Sequence, residues 1–94
     1  MDDLITELMR FIRVNSQEGK EELEALIPSC KKELELAGVY GNETDPSYRQ
    51  AIRLYCKAHY GYDDKTERFQ EAYEALRDTM ALSGNYKKNS EEET

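Results

Sequence analysis

The sequence predicts an all-α protein, a small bundle of four main helices followed by a mobile C-terminal tail. Apolar residues recur every three or four positions in four segments, and the alternation typical of a half-buried strand does not occur. All five glycines fall between these segments or at their ends. The 94 residues suffice for one domain with one modest core. We therefore assign a helical domain to residues 1–86 and a polar flexible tail to residues 87–94.

The first two helices are predicted from their caps and apolar stripes. The first is expected to open at Asp2 or Asp3, because a carboxylate suits the free N–H groups of a helix start. Its apolar face comprises Leu4, Ile5, Leu8, Phe11 and Ile12. The second begins at Asn15 or Ser16, and Asn15 with Glu18 has the spacing of a capping box. Its stripe ends before a glycine and consists of Leu23, Leu26, Ile27, Cys30, Leu34 and Ala37.

Pro28 lies opposite that stripe, on the expected solvent side of the second helix. A proline there removes the hydrogen bond to the carbonyl of Glu24 and should kink the helix. The alternative is a pair of short helices that meet at Pro28, with the proline at the first position of the second.

The third and fourth helices have clear boundaries. Asp45 followed by Pro46 predicts a helix start, and this helix runs to about Tyr60. Apolar and aromatic residues cover most of its circumference, so the helix is either central or covered by a partner. The fourth helix is expected to start near Asp64 or Thr66 and to end at residues 83–85. Its stripe comprises Phe69, Ala72, Tyr73, Leu76 and Met80, widened by Ala75 and Leu82.

A basic stripe, formed by Arg49, Arg53 and Lys57, runs along the third helix, because residues four apart share one face. Residues 46–60 contain these three cations and no acidic residue, whereas residues 16–45 contain eight acidic and three basic residues. Opposite charges on one chain favour a head-to-tail contact between copies. We therefore predict contacts at the basic stripe and at an acidic group formed by Glu21, Glu22 and Glu24. The alternative is that these charged side chains are simply solvated.

Seven tyrosines in a chain without tryptophan are a second sign of contact surfaces. Those on the apolar stripes, at positions 48, 55 and 73, are most simply core residues. Four others fall at helix ends and loops, where exposed tyrosine is a favoured contact residue: Tyr40, Tyr60, Tyr62 and Tyr86. The alternative, of equal weight, is that these four rings cover the ends of a small core.

The sequence predicts no enzyme and no cofactor. Cys56 and His59 lie one helical turn apart, but a structural zinc site needs four ligands and Cys30 is the remaining soft candidate. A catalytic Cys–His pair inside a helix would lack an oxyanion hole. Two cysteines could form one disulfide, although reduced buried cysteine is more common on apolar helix faces. Glycine-rich phosphate loops and hydrolase motifs do not occur in the sequence.

The net charge of −7 argues against non-specific nucleic-acid binding and against an anionic membrane as a partner. The sequence contains no apolar run near the roughly 20 residues of a membrane span. Its acidic start does not resemble a signal peptide, so we expect a soluble protein in the reducing cytoplasm.

Three segments together resemble the small helical head–tail connector proteins of tailed bacteriophages and prophages, which are often labelled DNA-packaging proteins. They are residues 45–55 (DPSYRQAIRLY), residues 59–63 (HYGYD) and residues 67–76 (ERFQEAYEAL). The helix order is similar along nearly the whole chain up to Tyr86, and Pro28 is the feature without a counterpart in the family pattern.

The resemblance implies a structural subunit, without catalysis or cofactor, that forms a ring below the portal protein of a filled capsid. The ring would extend the DNA channel, let DNA pass without specific binding, and dock a downstream neck or tail-completion protein. Such a subunit would occupy the bacterial cytoplasm during assembly and then the neck of the virion. Two alternatives remain: a cytoplasmic helical regulator that binds one protein through its tyrosines, and a small helical DNA-binding domain.

Overall fold

The computed structural model describes residues 4–60 and 66–87, and it confirms the predicted all-α bundle. Four helices occur in this part of the chain: α1 (Leu4–Ile12), α2 (Gln17–Leu36), α3 (Pro46–His59) and α4 (Thr66–Ser83). α3 packs against each of the other three helices, and its most extensive neighbour is α4. The third helix is therefore central, which explains why apolar residues cover so much of its circumference.

One apolar core joins the four helices and the loop after α2. Its side chains are at most 9% exposed, and α3 supplies five of them. Tyr48, Tyr55 and Tyr73 are among them, as the sequence predicted. The core consists of Leu4, Leu8, Ile12, Val14, Leu23, Cys30, Leu34, Val39, Tyr48, Ala51, Ile52, Tyr55, Cys56, Tyr73 and Met80.

Side-chain caps fix the starts of α2 and α3. The Ser16 hydroxyl accepts a hydrogen bond from the backbone N–H of Gly19 at 3.0 Å, so Ser16 is the N-cap. The predicted capping box of Asn15 and Glu18 is therefore wrong by one residue. The Asp45 carboxylate accepts from the backbone N–H of Tyr48 at 2.9 Å, with proline next in the chain, and the predicted start of α3 is confirmed.

α2 ends at Gly38 in a complete Schellman motif. The N–H of Gly38 donates to the carbonyl of Glu35 at 2.9 Å, and the N–H of Val39 donates to that of Leu34 at 2.7 Å. Gly38 has a φ of 87°, the left-handed conformation that glycine adopts without a steric penalty. Val39 and Leu34 are both fully buried and supply the apolar contact that accompanies this motif.

α1 ends in the same motif, but an arginine occupies the glycine position. The N–H of Arg13 donates to the carbonyl of Arg10 at 3.3 Å, and the N–H of Val14 donates to that of Met9 at 2.8 Å. Arg13 has a φ of 66°, and it is the one non-glycine residue with positive φ in the described ranges. A side chain in this conformation is strained, because its β-carbon crowds the following carbonyl.

Pro28 lies inside α2, which continues as one helix from Gln17 to Leu36. The alternative of two short helices meeting at Pro28 is therefore wrong. Pro28 is exposed, as expected from its position opposite the apolar stripe. Water can reach the carbonyl that its missing N–H leaves unpaired, which makes the proline tolerable here.

Two predicted apolar faces are narrower in the structure than in the sequence pattern. Phe11 is 39% exposed, because α1 buries only the row of Leu4, Leu8 and Ile12. Leu82 is 87% exposed, and Ala72 and Ala75 are also exposed. α4 packs mainly on α3 and buries only Tyr73 and Met80 fully, so residues beside that row face solvent.

Candidate interaction surfaces

The basic stripe is largely occupied by contacts within the chain. The Glu7 carboxylate of α1 receives the guanidinium of Arg49 on one oxygen and that of Arg53 on the other. We call this three-residue arrangement the Glu7 clasp. Its side chains are 24% (Glu7), 25% (Arg49) and 30% (Arg53) exposed. The clasp therefore joins α1 to the central helix at a half-buried position.

Further contacts hold the two arginines in place. Arg49 Nη1 donates to the backbone carbonyl of Glu43 at 3.0 Å, and Arg53 Nε donates to the Gln50 side chain at 3.0 Å. The Arg53 guanidinium also lies 5.7 Å from the centre of the Phe11 ring, at the distance of a cation–π contact. Phe11 is thus exposed on one side and covered by Arg53 on the other.

Glu7 is held in its charged form by the clasp. The hydrogen bond from Arg49 is the largest influence and lowers the pKa of Glu7; partial burial opposes it, and the charges of Arg49 and Arg53 lower it further. Glu7 stands within the apolar row of α1, three residues after Leu4 and one before Leu8. A lone carboxylate in such a row is the sign in the sequence that Glu7 needs a partner, and Glu7 was not among the predicted contact residues.

Lys57, the third cation of the basic stripe, turns towards α4. Its ammonium lies 5.6 Å from the centre of the Phe69 ring. The stripe therefore divides: two arginines bind α1 and the lysine packs on α4. Its predicted role between subunits stays a prediction, and any such contact would have to share side chains that the fold already uses.

The acidic group of Glu21, Glu22 and Glu24 is exposed on the first half of α2. Glu21 accepts a hydrogen bond from Gln17 at 3.2 Å, a contact on the same helix surface. These carboxylates are available to a partner, and they are equally well hydrated without one.

Two of the four predicted contact tyrosines close the core. The Tyr86 hydroxyl donates to the Asp45 carboxylate at 2.8 Å, and this bond is the main reason why the pKa of Tyr86 is raised. The Tyr60 hydroxyl lies 2.8 Å from where a β-carbon on Gly19 would stand, so Tyr60 covers the start of α2. Tyr40 is 37% exposed and remains open to a partner, and Tyr62 lies outside the described residues.

Two leucines are strongly exposed at the ends of helices. Leu36 is 77% exposed in the last turn of α2, and Leu82 is 87% exposed in the last turn of α4. Four residues after each leucine stands a tyrosine, and the N–H of Tyr40 donates to the carbonyl of Tyr86 at 2.5 Å. The segments that follow α2 and α4 therefore meet, and we call the exposed side chains of Leu36, Tyr40 and Leu82 the end surface. The sequence pattern placed Leu82 on a buried stripe and did not single out Leu36.

A second polar contact joins α2 to α4 near the core. The Tyr73 hydroxyl donates to a Glu33 oxygen at 2.9 Å, and Arg77 Nη1 lies 3.8 Å from the same oxygen. The Arg77 guanidinium also lies 5.6 Å from the centre of the Tyr73 ring. Burial, the largest influence, raises the pKa of Tyr73 and keeps its hydroxyl protonated as a donor. Glu33 therefore links α2 to α4 through Tyr73 and Arg77.

The cysteines and the histidine serve packing. Cys30 and Cys56 are free and fully buried, and burial raises the pKa of Cys56 to about 12. A thiol with such a pKa stays protonated near neutral pH and is a poor nucleophile. His59 is exposed, with its ring centre 4.1 Å from that of Tyr55. Within residues 4–60 and 66–87, no three side chains of the His, Cys, Asp or Glu types gather as metal ligands would.

Comparisons with known proteins identify no relative: no family model, curated protein or solved structure matches this chain. None of the helices in the described ranges is long and apolar enough to cross a membrane.

Proposed function

We propose that this protein is a structural assembly subunit, a head–tail connector of a tailed bacteriophage or prophage that forms a ring below the portal protein. The resemblance of residues 45–55, 59–63 and 67–76 to that family supports the proposal at the level of sequence. In the three-dimensional fold residues 45–55 supply most of α3 and residues 67–76 more than half of α4, the pair of helices with the most extensive packing. The ring would extend the DNA channel and dock the next neck protein.

The observation that carries the proposal is the end surface. Leucines in the last turns of α2 and α4 are 77% and 87% exposed, whereas the chain buries its other large aliphatic residues at least in part in the described ranges. Exposed leucine is unfavourable in water and becomes favourable when a partner covers it. We assign the end surface to the contact with the portal protein.

The exposed glutamates of α2 suit the channel side of such a ring. Glu18, Glu21, Glu22 and Glu24 all face solvent on the first half of this helix. A wall of carboxylates repels DNA phosphates, so the duplex would slide past without binding. Two arginines of the basic stripe, Arg49 and Arg53, are tied to Glu7 and so are less available to DNA.

The experiment is co-sedimentation of the chain with purified portal protein. The double variant Leu36→Glu/Leu82→Glu should lose binding while keeping its helical circular-dichroism spectrum, because both positions face solvent in the subunit. The matched control is Ala25→Glu/Ala75→Glu, which adds the same charge to the same two helices at exposed sites. Equal binding by the double variant and the control would remove the end surface from the proposal. Failure of the unaltered chain to bind any portal protein, with capture of a regulatory protein instead, would favour the rival function.

A further inference from the structure

We propose that α1 exchanges between copies, so that the Glu7 clasp of one subunit closes on the arginines of the next. This inference names the self-contact of the ring and depends on the proposed function for its role, but the exchange is measured on the isolated chain. The partner it requires is a second copy of this protein.

The apolar site where α1 packs, which we call the seat, also contains the Glu7 clasp. α1 packs on α2 and α3, and it buries Leu4, Leu8 and Ile12 there at 4%, 0% and 8% exposure. Both oxygens of Glu7 are engaged at the same seat. Because identical chains offer identical seats, α1 of a neighbour would form the same contacts, and exchange conserves nearly all of the burial.

Arg13 is the hinge that the structure offers for this exchange. It is exposed, it directly follows α1, and it has the strained φ of 66°. Opening the chain at Arg13 would break the two backbone bonds of the helix end but release the residue from the left-handed region. Val14 is buried beside Gly19 and would keep the start of α2 in place while α1 moves. Short hinge loops under strain invite domain swapping.

The exchange also explains why Glu7 of the same chain occupies the basic stripe. A stripe intended to receive a neighbour's acidic group would be expected to lie open, yet Glu7 of the same chain occupies it. If the neighbour supplies its own α1, the acidic partner in the ring is Glu7 in trans. Since each α1 passes to the next copy, the contact is head-to-tail and can close into a ring.

The first experiment reverses the charges of the Glu7 clasp. Glu7→Arg and Arg49→Glu/Arg53→Glu each place like charges at the seat and should lower the midpoint of thermal unfolding. Mixed in equal amounts and refolded together, the two should form a 1:1 complex by native mass spectrometry, with thermal stability regained, because each α1 then meets opposite charges on the other chain. The control is the triple variant Glu7→Arg/Arg49→Glu/Arg53→Glu, which pairs opposite charges again within one chain. Regained stability in the triple variant with none in the mixture would overturn the exchange.

The second experiment detects the Glu7 clasp between chains by using a conservative variant of one arginine. The variant Arg53→Lys supplies an amine beside Glu7 and is prepared separately with light and with heavy nitrogen. The two forms are mixed and refolded at high concentration. The oligomeric fraction is then treated with a zero-length carboxyl–amine cross-linker. About half of the peptides that join position 7 to position 53 should combine light and heavy chains, as random pairing of equal pools requires. Cross-links confined to chains of one label, or the absence of an oligomeric fraction after refolding, would overturn the exchange. Loss of portal binding by the end-surface variant would still support the connector function in that case, so the two proposals fail separately.

Discussion

Glu7→Gln tests the Glu7 clasp as a source of stability. The substitution keeps the shape of the side chain and removes the charge that Arg49 and Arg53 share. A hydrogen bond to a charged group contributes about 1.5–3 kcal/mol when it is well shielded, and exposed ion pairs contribute about 0–1 kcal/mol. The clasp side chains are 24–30% exposed, between these limits. We therefore expect the free energy of unfolding to fall by about 1.5 kcal/mol, or the melting temperature by roughly 6–12 °C for a domain of this size.

The pH dependence gives this prediction a second readout. The folded-state pKa of Glu7 lies below its ordinary value of 4.5, so the clasp stabilises the protein fully above pH 4.5. That contribution is lost as the pH falls through the folded-state pKa. The stability difference between the unaltered chain and Glu7→Gln should thus be largest near pH 7 and should vanish at the acid end of the range. Urea denaturation at several pH values measures it.

The control for Glu7 is Glu22→Gln, which neutralises an exposed carboxylate on α2. Surface changes of this kind usually stay within about 0.5 kcal/mol. A Glu7→Gln effect no larger than that of the control would refute the reasoning. So would a difference between Glu7→Gln and the unaltered chain that persists undiminished below the folded-state pKa.

The local geometry of Arg13, Gly19 and Cys56 can be tested in the same way. Arg13→Gly should raise the free energy of unfolding by about 0.5–1 kcal/mol by relieving the positive φ, whereas Arg13→Ala should not; urea melts of both variants decide this. Gly19→Ala should lower the free energy of unfolding by about 1–3 kcal/mol, because the new β-carbon would stand 2.3 Å from a Val14 methyl. The control is Ser29→Ala on the same helix, and equal thermal melts for the two variants would contradict the prediction. Cys56 should react with a thiol reagent only after unfolding, and rapid labelling of the native protein would contradict its burial and its pKa of about 12.

The helices could be predicted from sequence because their signals are local. The cap at Asp45 and the glycine stop at residue 38 act through bonds to residues at most five positions away. The buried tyrosines followed from helical spacing alone. In each case the chain segment contains the whole interaction, so one sequence suffices.

The contact surfaces were harder to predict, because they depend on residues and helices that are distant from one another in the chain. Glu7 meets Arg49 and Arg53 across more than forty residues, and charge counting alone assigned those arginines to another molecule. Leu82 matched a helical stripe, but how wide a face is buried depends on which helices pack against it. α4 has one extensive neighbour, so its buried face is narrow. Knowledge of the packing, rather than of the periodicity, separates core from surface here.

The most direct test of the proposed assembly is a cryo-electron microscopy reconstruction of the chain with the proposed partner, a portal protein. The account predicts a ring of this protein below the portal, with Leu36 and Leu82 covered at the interface and the glutamates of α2 facing the channel. A monomer on the portal, or a ring in which both leucines face solvent, would contradict it.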